Sequence, residues 1–143
     1  MANILLVDDD CLVRRVLKEV LRIHRHNVVE ASNGQEAFDA INPDELPDLI
    51  LMDYQMPLHN GVDCARRLKT LYPSLKIIMI FMISGSFSVY DDGFLVANKH
   101  LFIDLILKPF QIKDVVSTVE RALGAKPKAR MNLFECCNSA PAA

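Results

Sequence analysis

Three carboxylates and one lysine stand at the ends of short apolar stretches, where they could act together on a phosphoryl group. They are Asp8, Asp9, Asp53 and Lys108. Carboxylates crowded at one place repel each other unless a cation neutralises them, and oxygen ligands without cysteine or histidine nearby suit Mg2+. A lysine fixed beside that cation could stabilise the negative oxygens of a transferring phosphoryl group. The residue types therefore predict phosphoryl-transfer chemistry assisted by magnesium.

The aspartate run at residues 8–10 has two interpretations. An aspartate just before a helix commonly caps the free backbone N–H groups of that helix, and we assign this role to Asp10. Metal binding is the interpretation that we prefer for Asp8 and Asp9, because Asp53 would lie on the adjacent strand of the same crevice.

Lys108 and Ser84 are weaker candidates when each is considered alone. A single lysine is usually an exposed surface residue, but Lys108 follows an apolar strand and precedes Pro109. Ser84 ends the fourth apolar stretch, so it could donate a hydrogen bond to the phosphoryl group or simply form a turn with Gly85. The joint order of these residues after successive strands is what favours one shared site.

Apolar runs and helical periodicity alternate along the chain and predict the elements that position these residues. The predicted strands are Asn3–Val7, Asn27–Ala31, an apolar run that ends at Asp53, Lys76–Ile83 and Leu101–Leu107. Helical spacing follows the first strand and recurs over Gln35–Ile41, after Gly61, and from Ile112 to Gly124. Residues 86–99 show no regular spacing. Such alternation predicts an α/β fold with a five-stranded parallel sheet and helices on both faces.

Composition and length restrict the class of protein. The 143 residues fit one domain, predicted over 1–123, with a flexible tail over 124–143. A net charge of −2 gives no support to a nucleic-acid partner. The longest apolar run, 77–83, is too short to span a membrane, so a soluble cytoplasmic protein is expected. The cysteines and histidines stand at no zinc-ligand spacing, and the thiols are expected to be free.

At the level of motifs, the sequence resembles the receiver domain of two-component response regulators. The resemblance covers Ile4 to about Leu123. It rests on Leu-Leu-Val-Asp-Asp-Asp at 5–10, Leu-Met-Asp-Tyr-Gln-Met-Pro at 51–57, Asn-Gly at 60–61, Ile-Ser-Gly at 83–85 and Leu-Lys-Pro-Phe at 107–110. It implies the flavodoxin-like strand order 2-1-3-4-5.

The resemblance also implies a role for each site residue. Asp53 is the phosphoacceptor, and Asp8 and Asp9 are the acidic pair that holds Mg2+ with Asp53. Gln55 gives its backbone carbonyl to the metal. Lys108 contacts the phosphoryl group, and its bond to Pro109 is commonly cis in the family. The hydroxyl of Ser84 turns toward the phosphoryl group on activation.

A sensor histidine kinase or phosphotransfer protein is the implied phosphoryl donor, and an unidentified downstream protein receives the signal. The chain is expected to be a monomer or weak homodimer and a switch rather than an enzyme.

Two features depart from the family pattern: Leu105 replaces a usual aromatic residue, and the fourth strand is about three residues longer. The missing aromatic residue and the irregular segment in place of a fourth helix suggest the alternative of an interaction module that is not phosphorylated, but the retention of Asp8, Asp9, Asp53 and Lys108 argues against it. A haloacid-dehalogenase-type phosphatase is disfavoured because Gln55 occupies the place of its second aspartate.

Overall fold

The computed structural model describes residues 2–56, 61–82 and 97–124. Its elements, in chain order, are β1 (Asn3–Val7), α1 (Cys11–Ile23), β2 (Asn27–Ala31), α2 (Gly34–Ala40), β3 (Leu49–Asp53), α3 (Gly61–Leu71), β4 (Ile77–Met82), a 3-10 turn (Lys99–Leu101), β5 (Asp104–Lys108) and α4 (Ile112–Ala122). The strands form one parallel sheet in the order β2-β1-β3-β4-β5. The predicted fold class and strand order are confirmed.

Two apolar cores lie on opposite faces of the sheet. β3 is buried along its whole length, and alternate residues face the two cores: Ile50 and Met52 one way, Leu49 and Leu51 the other. Buried residues of α2 and α3 pack with the first pair, and buried residues of α1 and α4 pack with the second. Helices therefore cover both faces, as the alternation predicted.

Strand register brings the predicted site residues to one edge of the sheet. Val7 pairs with Met52, so Asp8 and Asp53 leave neighbouring strands side by side. Asp53 pairs with Ile80 on the next strand. Because all five strands are parallel, their carboxyl ends form a single crevice.

The sequence predicts the fifth strand over Leu101–Leu107, but its first three residues are not strand. Leu101 ends the 3-10 turn and β5 begins at Asp104. Leu101 and Phe102 are buried in the core with α3, so their apolar character reflects packing under a turn rather than pairing in the sheet. Ile103 is exposed, and its N–H donates to the Ile77 carbonyl.

The other boundaries agree within a residue or two. α2 starts and ends one residue before the predicted Gln35–Ile41, because Ile41 is already extended. β4 starts at Ile77 rather than Lys76. The predicted last residue of β4, residues 86–96 of the irregular segment 86–99, and the tail after Gly124 lie outside the described residues. Among the residues that are described, no helix has the length and apolar character needed to cross a membrane.

Candidate functional site

The three aspartates after β1 have different surroundings. The Asp10 carboxylate accepts hydrogen bonds from the N–H groups of Leu12 (2.9 Å) and Val13 (3.3 Å), so it caps α1. Asp8 is fully buried, and its Oδ1 accepts a hydrogen bond from the Asp10 N–H at 2.9 Å. Asp9 is exposed at the mouth of the crevice. The cap predicted at Asp10 is confirmed.

Asp53 is the last residue of β3 and is only 4% exposed. Its Oδ1 accepts a long hydrogen bond, 3.4 Å, from the N–H of Gln55. The chain just beyond is fixed at two places, since the Tyr54 N–H donates to the Ile80 carbonyl and the Gly61 N–H donates to the Tyr54 carbonyl, each at 2.8 Å. The Asp53 carboxylate is therefore presented from a rigid strand end.

Asp8, Asp9 and Asp53 each offer a carboxylate oxygen, and these oxygens lie within 4.8 Å of one another. The donor set consists of oxygen only, and two of the three carboxylates are buried. Hard oxygen ligands at the open end of a crevice suit Mg2+, which binds through one or two carboxylates while keeping several waters. The residues present therefore fit a magnesium ion.

Lys108 joins this cluster from β5, on the far side of β4. Its Nζ lies 3.3 Å from Oδ2 of Asp8 and 3.6 Å from Oδ2 of Asp53, and its side chain is 14% exposed. The bond between Lys108 and Pro109 is cis, as the resemblance implied. The Lys108 ammonium thus faces two buried carboxylates.

The surroundings of Asp53 disfavour its ionised form. Burial, reinforced by the negative charges of Asp8 and Asp9, raises the pKa of Asp53 to about 6, although Lys108 and the Gln55 N–H act in the opposite direction. The positive charge of Lys108 does not offset the repulsion together with the loss of hydration, because the pKa of Asp53 is still raised. A divalent cation is the species that would relieve both.

The described contacts do not test the predicted roles of two site residues, Gln55 and Ser84. Gln55 is exposed and directs its N–H to Asp53, and its carbonyl role with the metal stays a prediction. Ser84 lies outside the described residues. Its predicted hydrogen bond to the phosphoryl group stays a prediction.

The structure adds two contacts with the site that the sequence did not indicate, one made by Arg14 and one by Gly61. Arg14 donates from a terminal guanidinium nitrogen, Nη1, to the backbone carbonyl of Asp8 at 2.6 Å. Gly61 lies so close to β3 that a Cβ there would stand 2.4 Å from the Asp53 carbonyl oxygen. In the sequence, Arg14 belongs to the polar face of α1 and Gly61 to a loop, so neither pattern indicates a contact with the site.

The geometry agrees with comparisons against known proteins. The response regulator receiver domain family matches residues 4–120. Chemotaxis protein CheY of Thermotoga maritima is 33% identical over 121 residues, covering 83% of this chain and 95% of that protein. The non-phosphorylated HemR receiver domain of Leptospira biflexa aligns with a TM-score of 0.75 at 25% identity, covering 91% of this chain and all of that one.

The chain belongs to the response regulator receiver domain family of two-component signalling proteins. Relatives differ in how much lies beyond the shared domain. The transcriptional regulator NtrC of Azospirillum brasilense is 34% identical over 124 residues, which is 87% of this chain but only 24% of that protein. The receiver is therefore shared both by short proteins and by longer regulators.

Proposed function

We propose that this chain is a phosphorylation-driven switch in which Asp53 accepts a phosphoryl group from the phosphohistidine of a sensor histidine kinase or phosphotransfer protein. The observation that carries the proposal is the position of Lys108, 3.3 Å from Asp8 and 3.6 Å from Asp53, beside three carboxylates that fit Mg2+. Membership of the receiver family supports it. That membership also leaves no support for the alternative of a dehalogenase-type phosphatase.

In the transfer step, a carboxylate oxygen of Asp53 attacks the phosphorus atom of phosphohistidine. A P–O bond forms as the P–N bond breaks, and the departing imidazole nitrogen keeps the electron pair and takes a proton from solvent. The Lys108 ammonium offsets negative charge on the phosphoryl oxygens. Mg2+, held by Asp8, Asp9, Asp53 and the Gln55 carbonyl, would supply the remaining positive charge.

The test is to incubate the protein with acetyl phosphate, with and without Mg2+, and to measure its intact mass. The proposal predicts a gain of one phosphoryl group only when Mg2+ is present. A folded protein that binds Mg2+ and yet gains no mass would instead support the alternative of an interaction module that is not phosphorylated.

Ser84→Ala is expected to separate phosphorylation from switching. A ligand shifts a conformational equilibrium only through interactions that differ between the two states, and the hydrogen bond from the Ser84 hydroxyl to the phosphoryl group is our candidate for that difference. Leu105 is buried in the core and, unlike an aromatic ring, offers little two-position packing. The variant should therefore gain the phosphoryl group but lose the conformational response.

Hydrogen exchange with and without beryllofluoride, a phosphoryl mimic, measures that response over residues 84–99. We expect the mimic to change protection in the parent protein and to leave Ser84→Ala unchanged. Equal responses in the two proteins would remove Ser84 from the switch.

A further inference from the structure

We propose that Arg14, held by Glu30 of the edge strand β2, is a positioning residue that fixes the acidic pair for metal binding. The inference rests on the proposed function, since it concerns the same Mg2+ site. It begins from one contact, the 2.6 Å hydrogen bond from a guanidinium nitrogen of Arg14 to the backbone carbonyl of Asp8. Hydrogen bonds from a charged donor are shorter and roughly twice as strong as neutral ones.

The hydrogen bond from Arg14 supplies a donor to a backbone carbonyl at the end of the sheet. The Asp8 N–H donates to the Ala31 carbonyl, so the Asp8 carbonyl points toward the same strand, β2. β2 ends at Ala31, and the chain then turns into α2: the Ser32 N–H donates to Glu36, and Asn33 caps the helix. Arg14 supplies the donor that a longer β2 would have given, and buried carbonyls require such partners.

Glu30 orients the guanidinium. Its Oε1 lies 3.4 Å from Nε of Arg14, and its Oε2 lies 3.0 Å from Nζ of Lys18, one turn further along α1. The hydrogen bond from Lys18, aided by that from Arg14, holds the pKa of Glu30 below its usual range, so Glu30 is ionised at neutral pH. Arg14 is therefore clamped between the Glu30 carboxylate of β2 and the carbonyl of Asp8, the residue that follows β1.

Asp8 is consequently fixed on two sides. Arg14 donates to its carbonyl and the Asp10 N–H donates to its Oδ1, while its Oδ2 faces Lys108. Residues that orient metal ligands without touching the metal commonly change metal affinity 10- to 100-fold when they are replaced. Arg14 would act in this way on Asp8.

Mg2+ affinity distinguishes a positioning role of Arg14 from a purely electrostatic role, because the two roles predict opposite effects of Arg14→Ala. Arg14 carries a positive charge beside a cation site, so a purely electrostatic role predicts that Arg14→Ala tightens Mg2+ binding. A positioning role predicts that Arg14→Ala weakens it, by about tenfold or more. Lys18→Ala is the matched control, because it removes the same charge from the same glutamate without touching the Asp8 carbonyl.

Isothermal titration calorimetry with Mg2+ alone would measure the affinities. We expect Arg14→Ala to weaken binding about tenfold, Arg14→Lys to recover part of the loss, and Lys18→Ala to bind no more weakly than the parent. If Arg14→Ala does not fold, Glu30→Gln tests the same clamp by loosening Nε of Arg14, and should weaken binding while Lys18→Ala does not. Equal or tighter binding in the Arg14 or Glu30 variant that folds, or equal losses in that variant and Lys18→Ala, would overturn the inference.

A second readout needs no metal. In metal-free protein, the Asp10 N–H should exchange with solvent faster in Arg14→Ala than in Lys18→Ala, because the acidic loop is loosened locally. Identical exchange at Asp10 would also contradict the inference. A parent protein that fails to bind Mg2+ would refute the proposed function together with this inference, whereas normal binding in both parent and Arg14→Ala would refute the inference alone.

Discussion

Gly61→Ala is expected to lower the free energy of unfolding by about 3 kcal/mol, the upper end for an overpacked site. Alanine is ordinarily the better residue in a helix by ~1 kcal/mol, so propensity alone predicts the opposite sign. The added Cβ would stand 2.4 Å from the Asp53 carbonyl oxygen and 3.0 Å from Cα of Tyr54. These are backbone atoms fixed by the hydrogen bonds of Tyr54, so the clash cannot be relieved by rotating a side chain.

Urea unfolding with linear extrapolation measures this loss. Gly124→Ala is the control, because Gly124 has φ +97° and a Cβ added there would meet nothing within 4 Å. Only backbone strain of about 1 kcal/mol is therefore added at that position. A cost at Gly61 no larger than the cost at Gly124 would show that α3 moves away from β3 without penalty.

Asp53→Asn is expected to stabilise the metal-free protein at neutral pH by up to about 3 kcal/mol. The pKa of Asp53 is raised to about 6 by burial and by its neighbouring carboxylates, against an ordinary value of 3.8. Ionising this group therefore costs more in the folded chain than in the unfolded one. Asparagine keeps an oxygen that can accept the Gln55 hydrogen bond but carries no charge.

The direction of the pH dependence follows from the raised pKa. Below the unfolded pKa both states hold the proton and Asp53 imposes no cost. As the pH rises from about 4 to about 6 the unfolded chain loses the proton first, so the parent protein loses stability, and above that range the loss is constant. Urea unfolding of parent and Asp53→Asn across this range, in chelator, measures the difference. A gap that does not widen with pH would contradict the raised pKa.

Added Mg2+ should act against this stability difference. A ligand that binds only the folded state adds stability in proportion to the logarithm of its concentration over its dissociation constant. The parent has all three carboxylates at the site, whereas Asp53→Asn has two, so added Mg2+ should stabilise the parent more.

Strands could be predicted from sequence where a short run with apolar residues pairs in the sheet, whether it is buried, as Asn3–Val7 mostly is, or mostly exposed at the sheet edge, as Asn27–Ala31 is. Asn3–Val7 and Asn27–Ala31 are predicted at the bounds that the structure shows, because apolar residues there end at turn or charged residues. Leu101 and Phe102 give the same apolar signal but are buried by a 3-10 turn. A sequence reports burial more directly than it reports which backbone partner a residue has.

The site also contains some residues that could be predicted from sequence and some contacts that could not. Asp8, Asp9, Asp53 and Lys108 could be grouped in advance because parallel strands end at one edge of a sheet, and the structure brings them together. The contact of Arg14 with the Asp8 carbonyl depends on where β2 stops, and the closeness of Gly61 to Asp53 depends on how α3 approaches β3. The two pairs lie only six and eight residues apart, but each contact is set by how separate elements end or pack, so sequence spacing alone does not indicate it.

The most direct test of the central claim is the intact mass of Asp53→Asn after incubation with acetyl phosphate and Mg2+. Asp39→Asn, which changes an exposed aspartate of α2 in the same way, is the control. Phosphorylation at Asp53 predicts that the parent and Asp39→Asn each gain one phosphoryl group while Asp53→Asn gains none. A phosphoryl gain in Asp53→Asn equal to that of the parent would contradict the account.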